Sequence, residues 1–412
     1  MENEKIKIAI LADGFINWGG GIDFLKAYLH PLQNSDKYEP IVFVGRPSMI
    51  RSFASKMKRG VNNILRGEKL SSNAAEEICQ EFTDDGFQVV IYSYNLNIND
   101  SLANVLIDNG VKCVFLTLRS LGDNFPLPWC LYLPDFQHKY YPEFFSKDEI
   151  HFRDIDFEKK VNTAEYILVE AKAVKADIMK FYPCTTADVN VMPYTAIPEK
   201  EWLYSESVSL EKYKLPDKFF IISNQFWIHK NHLGALEAFA EFVNAGYEDV
   251  FLVCTGEMSD YRFPNYHKKI MDKISELKID KKVIFTGYVS KNDQIAMLKK
   301  SIAIIQPTLF EGNPGGGVAY NAISLGLPLI LSDIPVNKEL KSKFVVFFDA
   351  YNMSDLADKM SRMYNHEYVM PSWTVDDCIE QGDWQQKRLL TAIEDVIAKL
   401  INANRANSLI RK

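Results

Sequence analysis

Short, nearly continuous apolar runs rich in Ile, Val and Phe recur along the chain: IKIAILA (6–12), PIVFVG (40–45), VVIYSY (89–94), KCVFLTL (112–118) and YILVEA (166–171). A second series repeats the pattern, with FFIISN (219–224), VFLVCTG (250–256), KVIFTG (282–287), AIIQP (303–307), PLILSD (328–333) and FVVFF (344–348). A strand with one face in water would alternate apolar and polar residues. Runs apolar at every position suit parallel strands covered on both faces. Amphipathic stretches such as HLGALEAFAEFVNAG (232–246) and KNDQIAMLKKS (291–301) lie between them. This alternation predicts an α/β fold of doubly wound sheets. It breaks once, over 196–218, where prolines and charges replace any core strand and a linker is expected. The expected units are therefore an N-terminal Rossmann-like domain (1–197), a second Rossmann-like domain (198–382) and a final helical segment (383–412) packing back across both. Within that segment the apolar spacing predicts a helix over 383–406.

Composition adds exclusions. The 412 residues carry 47 Lys+Arg against 54 Asp+Glu, a net charge of −7, and 47% are apolar. That balance fits a folded globular protein and argues against wholesale wrapping of nucleic acid. No apolar run is long enough to span a bilayer, and the opening MENEKIKIAILADGF lacks the features of a secretory signal. Six scattered cysteines without a C-x-x-C read as reduced thiols, and a cytoplasmic location is expected. His229 and His232 have no further ligand cluster around them, so no metal site is expected.

Ligands of open α/β sheets bind beyond the carboxyl ends of the strands, and three such places hold unusual residues. Asp13-Gly14-Phe15-Ile16-Asn17-Trp18-Gly19-Gly20-Gly21 follows the opening strand and precedes a helical pattern. Glycines there let backbone N–H groups approach an anion at a helix N-terminus. The spacing is not that of a dinucleotide fingerprint, which disfavours a dehydrogenase. Ser223-Asn224-Gln225-Phe226-Trp227-Ile228-His229-Lys230 follows the first strand of the second half, and Lys230 stands where it can neutralise a phosphate. Gln306-Pro307-Thr308-Leu309-Phe310-Glu311-Gly312-Asn313-Pro314-Gly315-Gly316-Gly317 places a carboxylate before a glycine cluster that opens a helix. Glycine N–H groups can hold a diphosphate there, while the acid can hold sugar hydroxyls.

On these loops the sequence resembles the GT-B glycosyltransferases, and within them the retaining family 4 enzymes of bacterial polysaccharide assembly. The resemblance is strongest over 219–340. ISNQFWIHKNHLGALEAF resembles the donor-phosphate loop, VIFTGYVSKNDQIAMLKKSIAIIQPTLFEG the nucleotide-binding run, and GNPGGGVAYNAISLGLPLILSDIPVNKE the region of two spaced glutamates. The N-terminal half matches through its glycine loop and LPDFQHKYYPEFFS (133–146). The resemblance implies a nucleoside-diphosphate sugar as co-substrate, bound without a metal, and a saccharide acceptor on the first domain. It assigns Lys230 to the donor diphosphate, Glu311 to the transferred sugar, and His138 to the sugar O6 or the reacting centre, the other reading of His138 being a satisfied histidine in a turn. Donor contacts would come from Gly19, Gly20, Gly21, Asn224, Gly287, Tyr288, Gly315, Gly316, Gly317 and Asn321, and acceptor contacts from Asp135, Gln137 and Tyr140.

This chain departs from the family pattern in three places. Asn224 stands where an arginine usually precedes the phosphate lysine. Ala319 and Asn321 stand where the second glutamate of the pair would be, and that acid commonly binds the nucleotide ribose. Pro134 precedes Asp135, with His138 three residues on, where a His-Asp pair is common. Residues 51–69 (RSFASKMKRGVNNILRGEK) carry six cations against one glutamate, a net +5, with apolar residues at helical spacing. That pattern suits either docking on the anionic inner face of the cytoplasmic membrane, next to a lipid-linked acceptor, or a solvated helix face. The expected activity is transfer of a hexose or deoxyhexose such as mannose, rhamnose or galactose in O-antigen, capsule or lipopolysaccharide synthesis. A GT-B nucleotide-sugar epimerase and a non-catalytic sugar-nucleotide-binding subunit remain as rivals. The epimerase needs a second cleft carboxylate besides Glu311.

Overall fold

The computed structural model describes residues 4–17, 20–47, 72–94, 98–204 and 210–410. The basic segment 51–69 and Gly19 lie outside the described residues. The first sheet contains β1 (Ile6–Leu11), β2 (Tyr38–Pro47), β3 (Gln88–Tyr94), β4 (Cys113–Thr117), β5 (Trp129–Tyr132), β6 (Tyr166–Val169) and β7 (Asp188–Val191), in the order β3-β2-β1-β4-β5-β6-β7. The second contains β8 (Phe219–Ser223), β9 (Phe251–Thr255), β10 (Val283–Gly287), β11 (Ile304–Gln306), β12 (Leu329–Ser332) and β13 (Val345–Phe348), in the order β10-β9-β8-β11-β12-β13. All pairings are parallel.

The continuous apolar runs have the expected cause: β4, β5 and β8 are buried at every position. Two strands carry no such signal in the sequence. β5 is only WCLY, hemmed in by Pro128 and Pro134, and β7 is the polar edge strand DVNV. Each sheet is covered on both faces by its own apolar cluster. Helices Gly21–Gln33 on one side, and Lys147–Thr163 and Lys172–Phe181 on the other, cover the first sheet. Helices His232–Asn244, Tyr266–Glu276 and Met353–Tyr364 cover one side of the second sheet, and Lys291–Lys300 and Gly316–Ser324 cover the other.

The last helix runs Val375–Ile410, starting eight residues before the position its apolar spacing suggests. Thr374 and Asp377 explain the earlier start through a reciprocal cap. The Asp377 N–H donates to Thr374 Oγ1 at 3.2 Å, and the Thr374 N–H donates to Asp377 Oδ2 at 2.7 Å. Cys378 packs in the core of the second sheet, while Leu389, Ile393, Val396, Ile397 and Leu400 pack in that of the first. Among the described residues no helix is long and apolar enough to cross a membrane.

Strand order reverses between β1 and β4 in the first sheet and between β8 and β11 in the second. Such switch points open a crevice beyond the strand ends. The three loops singled out in the sequence follow β1, β8 and β11 and so occupy these two crevices.

Candidate active site

The second-domain wall is built on two loops bonded to each other. After β8 the chain turns through a short 3-10 segment, Ile228–Lys230, and Asn231 caps helix His232–Asn244 by accepting from the Gly234 N–H at 3.3 Å. The His229 carbonyl accepts from the Leu309 N–H at 2.8 Å and from Thr308 Oγ1 at 3.3 Å, which fixes the loop after β11 alongside. Lys230 and Glu311 are thereby brought face to face. Lys230 Nζ lies 2.5 Å from Glu311 Oε1, with side chains only 13% and 9% exposed. The neighbouring imidazoles carry no charge: burial lowers His229 well below the usual histidine range and brings His232 down to about 3, with Lys230 repelling a further proton on each.

Beyond Glu311 the chain reverses through Gly315 and Gly316, both with positive φ (74° and 70°), into helix Gly316–Ser324. Gly317 follows in the first turn, so free N–H groups point out of the helix start. The turn is held from beneath. The Gly315 N–H donates to Asn337 Oδ1 at 2.7 Å, and Asn337 Nδ2 donates to the Ser332 carbonyl at 2.9 Å. Gln306 Nε2 donates to the Gly315 carbonyl at 3.1 Å, while Gln306 Oε1 accepts from Asn224 Nδ2 at 2.8 Å. Asn224 therefore reaches the glycine turn through Gln306. A neutral amide fits that relay, which accounts for its presence in place of a cation. Asn321 is buried further along the helix.

The first-domain wall comes from the helix start at Gly20 and Gly21 and from residues 134–141. Asp23, in the first turn after the glycines, pairs with Lys291 at 3.9 Å, just beyond the turn of Gly287 and the exposed Tyr288. This contact spans the two domains. Asp135 Oδ1 accepts from the Gln137 N–H at 2.8 Å, and Gln137 Oε1 accepts from Arg262 Nη1 of the second domain at 3.2 Å. The Tyr140 ring lies 5.8 Å from Phe310, and its hydroxyl bonds Asp177. The structure thus brings Asp135, Gln137 and Tyr140 to the seam beside Glu311.

His138 lies apart from that pair. Its side chain is fully buried, edge-on to Phe157 at 5.0 Å and Phe145 at 6.4 Å, and Nε2 faces Asp154 Oδ1 at 3.1 Å. Burial lowers its pKa, helped by Arg153 and outweighing Asp154. Nδ1 is buried without a hydrogen-bond partner.

Residues 209–382 match the family model of the glycosyl transferases group 1. The match falls on the second domain. A curated relative, the O-antigen chain mannosyltransferase RfbU of Salmonella typhimurium, is 22% identical over 242 residues, 56% of this chain and 62% of the relative. The chain thus spans less than two thirds of that relative's length. Among solved structures, Anabaena HepE in complex with UDP and glucose superposes with a TM-score of 0.61 at 11% identity, covering 97% of this chain and 100% of that one. The lipopolysaccharide outer core galactosyltransferase WaaB superposes at 0.54 with 15% identity, covering 96% and 99%. The fold is GT-B, two Rossmann-like domains with a C-terminal helix.

Within the second domain, sequence reasoning passed over Asn337 and Glu339. Glu339 reaches into the first domain and accepts from the N–H groups of Lys172 (2.8 Å) and Ala173 (2.7 Å). It caps helix Lys172–Phe181, whose own N-cap residue, Ala171, has no side chain able to do so. Glu170 was passed over too. It directly follows β6 and accepts from Tyr28 Oη at 3.3 Å and Tyr132 Oη at 3.2 Å. A carboxylate directly beyond a buried strand was the available signal for Glu170, as one in the loop five residues beyond β11 was for Glu311.

Proposed function

We propose that this protein transfers a hexose or deoxyhexose from a nucleoside-diphosphate sugar to a saccharide acceptor in bacterial surface polysaccharide synthesis. The reading is carried by the Lys230–Glu311 pair standing at a glycine-opened helix start in the crevice of a group 1 domain. Lys230 and the N–H groups at Gly316 and Gly317 would take the charge of the departing diphosphate, and Glu311 would hold hydroxyls of the transferred sugar. These groups supply electrostatic stabilisation without calling for a metal ion. Gly287 and Tyr288 would border the nucleotide, with Asn321 behind the helix start. Asp135, Gln137 and Tyr140 would border the acceptor. The O-antigen chain in the name of the mannosyltransferase relative supports a growing polysaccharide as that acceptor, and its lipid linkage is part of the proposal. The basic segment 51–69 would then hold the protein on the inner face of the cytoplasmic membrane. The retaining outcome is proposed from family resemblance.

One observation keeps the epimerase reading in view: Glu170 gives the cleft a second carboxyl group. Incubating the donor without acceptor separates the two, because an epimerase alters the free nucleotide sugar.

The test is thermal unfolding with UDP, GDP and dTDP, on the wild type and on Lys230→Met. A nucleoside diphosphate at a hundredfold its Kd stabilises by about 2.7 kcal/mol. For domains of this size that raises Tm by roughly 5 °C or more. One nucleotide should raise Tm in the wild type and have little effect on Lys230→Met. No shift with any of the three, or an undiminished shift in the variant, would defeat the reading.

A further inference from the structure

Glu170 lies where the two domains meet, at the carboxyl end of β6. Tyr28 from helix Gly21–Gln33 donates to one oxygen, Tyr132 from β5 to the other, and Asn313 from the glycine loop of the second domain adds a third bond. All three donors are neutral. Among the described residues no cation stands within ion-pair distance of it. The side chain remains partly open to solvent at the seam, although protein surrounds it closely.

Resting on the glycosyl-transfer reading, we propose that Glu170 takes the proton from the acceptor hydroxyl as the sugar is transferred. A carboxylate offers about four acceptor positions, so three donors leave room for a substrate hydroxyl. An unfilled partner stands near it: the hydroxyl of Tyr320, on helix Gly316–Ser324, is buried without a hydrogen bond, as is that of Tyr194, and the two ring centroids lie 4.3 Å apart. The Tyr320 hydroxyl feels the carboxylates of both Glu170 and Glu311. Glu311 is held by Lys230 before the donor binds and by the sugar hydroxyls afterwards, which leaves Glu170 to accept a proton.

The chemistry of the surroundings agrees. Burial pushes the Glu170 carboxyl up to about 7, and its hydrogen bonds to Tyr132, Tyr28 and Asn313 hold it from rising further. A general base works best with a pKa near the working pH. The tyrosines that feel it, Tyr28, Tyr132 and Tyr320, are all pushed well above their usual range, and burial does the same to Tyr194 behind Tyr320, so they stay protonated while Glu170 titrates. Past Glu170, the first turn of helix Lys172–Phe181 carries Lys172, and Glu339 of the second domain accepts from its backbone N–H at 2.8 Å, so the charges there are of opposite sign. In the step itself, the acceptor oxygen bonds the anomeric carbon of the nucleoside-diphosphate sugar. The bond from that carbon to the diphosphate oxygen breaks, and its electron pair leaves on the diphosphate. The hydroxyl proton passes to Glu170, which later releases it to water.

The experiment is the pH profile of kcat/KM for wild type, Glu170→Gln and Glu170→Ala, with nucleoside-diphosphate thermal shifts confirming that each is folded. Wild-type activity should fall tenfold per pH unit below about 7, as the carboxylate is protonated. Glu170→Gln should lose at least about 100-fold at pH 8 and lose the acid limb, and formate should restore part of the activity to Glu170→Ala. An acid limb that persists in Glu170→Gln, or a loss under about threefold with no formate rescue, overturns the proposal while leaving glycosyl transfer intact. Absence of transfer by the wild type across the donor and acceptor panel overturns both readings together.

Discussion

Gly312 offers the sharpest perturbation of the seam, because it lies between Glu311 and Asn313 and abuts the other domain. A Cβ built on it would stand 2.2 Å from the Pro134 carbonyl oxygen and 3.0 Å from the Asp135 Cβ. Both are backbone or near-backbone atoms at the end of β5, so no flexible side-chain tip can swing aside. Ordinary contact begins near 3.4 Å, so Gly312→Ala must part the two walls by about 1.2 Å. Because Glu311 precedes this residue directly, the reacting groups separate by a similar amount, and a misplacement of about 1 Å costs on the order of 100-fold in rate. Gly312 lies in a loop outside both sheets, so the stability cost should stay within the range of ordinary overpacking, about 1–3 kcal/mol. Donor affinity should hold within about threefold, since Lys230 and the glycine turn lie on one domain. Steady-state kinetics with a matched donor and acceptor, calorimetric titration of the nucleoside diphosphate and urea unfolding measure the three quantities. Wild-type kcat/KM within twofold in Gly312→Ala would mean that the reaction does not use the closed seam seen here.

Two predictions concern the supports of the second-domain wall. Asn337→Asp keeps the shape but replaces a donor with an acceptor facing the Ser332 carbonyl in a fully buried position, which should cost about 2–3 kcal/mol at pH 8 in urea unfolding. The cost should shrink as pH falls and the new carboxyl regains a proton; an equal loss at pH 5 and pH 8 would refute this. His232, with both ring nitrogens unpartnered and its ring stacked 4.1 Å from Phe226, stays neutral down to about pH 3, whereas the unfolded chain protonates near pH 6.5. Between those values the unfolded state binds the extra proton, so stability falls with falling pH by up to about 1.4 kcal/mol per unit from this residue. His232→Phe should flatten the stability profile between pH 6 and pH 4 by that slope, and parallel profiles for the two proteins would refute the assignment.

The fold was legible because parallel strands buried on both faces leave a local mark, and so were the loops after β1, β8 and β11, whose glycines and charges break apolar runs. What stayed hidden depends on contacts between residues far apart in the chain. Tyr28 and Glu170 are 142 residues apart, and Glu339 and Lys172 are 167 apart. Nothing near Glu170 in the sequence announces two tyrosines and an asparagine around it. His138 shows the converse. Its neighbours Asp135, Gln137 and Tyr140 are polar, which suggests an open site, yet Phe136, Phe145 and Phe157 enclose the ring. The outward positions of a short helical turn can face the seam while one inward position fills the core.

Charge at the wall constrains how a donor can enter. Lys230 is already neutralised by Glu311, and Asn224 is engaged with Gln306, so among the described residues of these two loops a diphosphate meets no free cation until that ion pair opens. Opening it without a ligand would strand a carboxylate that is only 9% exposed, a cost of several kcal/mol. A nucleoside-diphosphate sugar meets both needs at once, phosphate for Lys230 and hydroxyls for Glu311. A nucleoside diphosphate alone satisfies only the lysine. The pair therefore discriminates in favour of donors that carry their sugar, and the intact donor should bind more tightly than the nucleoside diphosphate. Truncating Glu311 should reverse that order, because the free lysine then favours the more highly charged diphosphate.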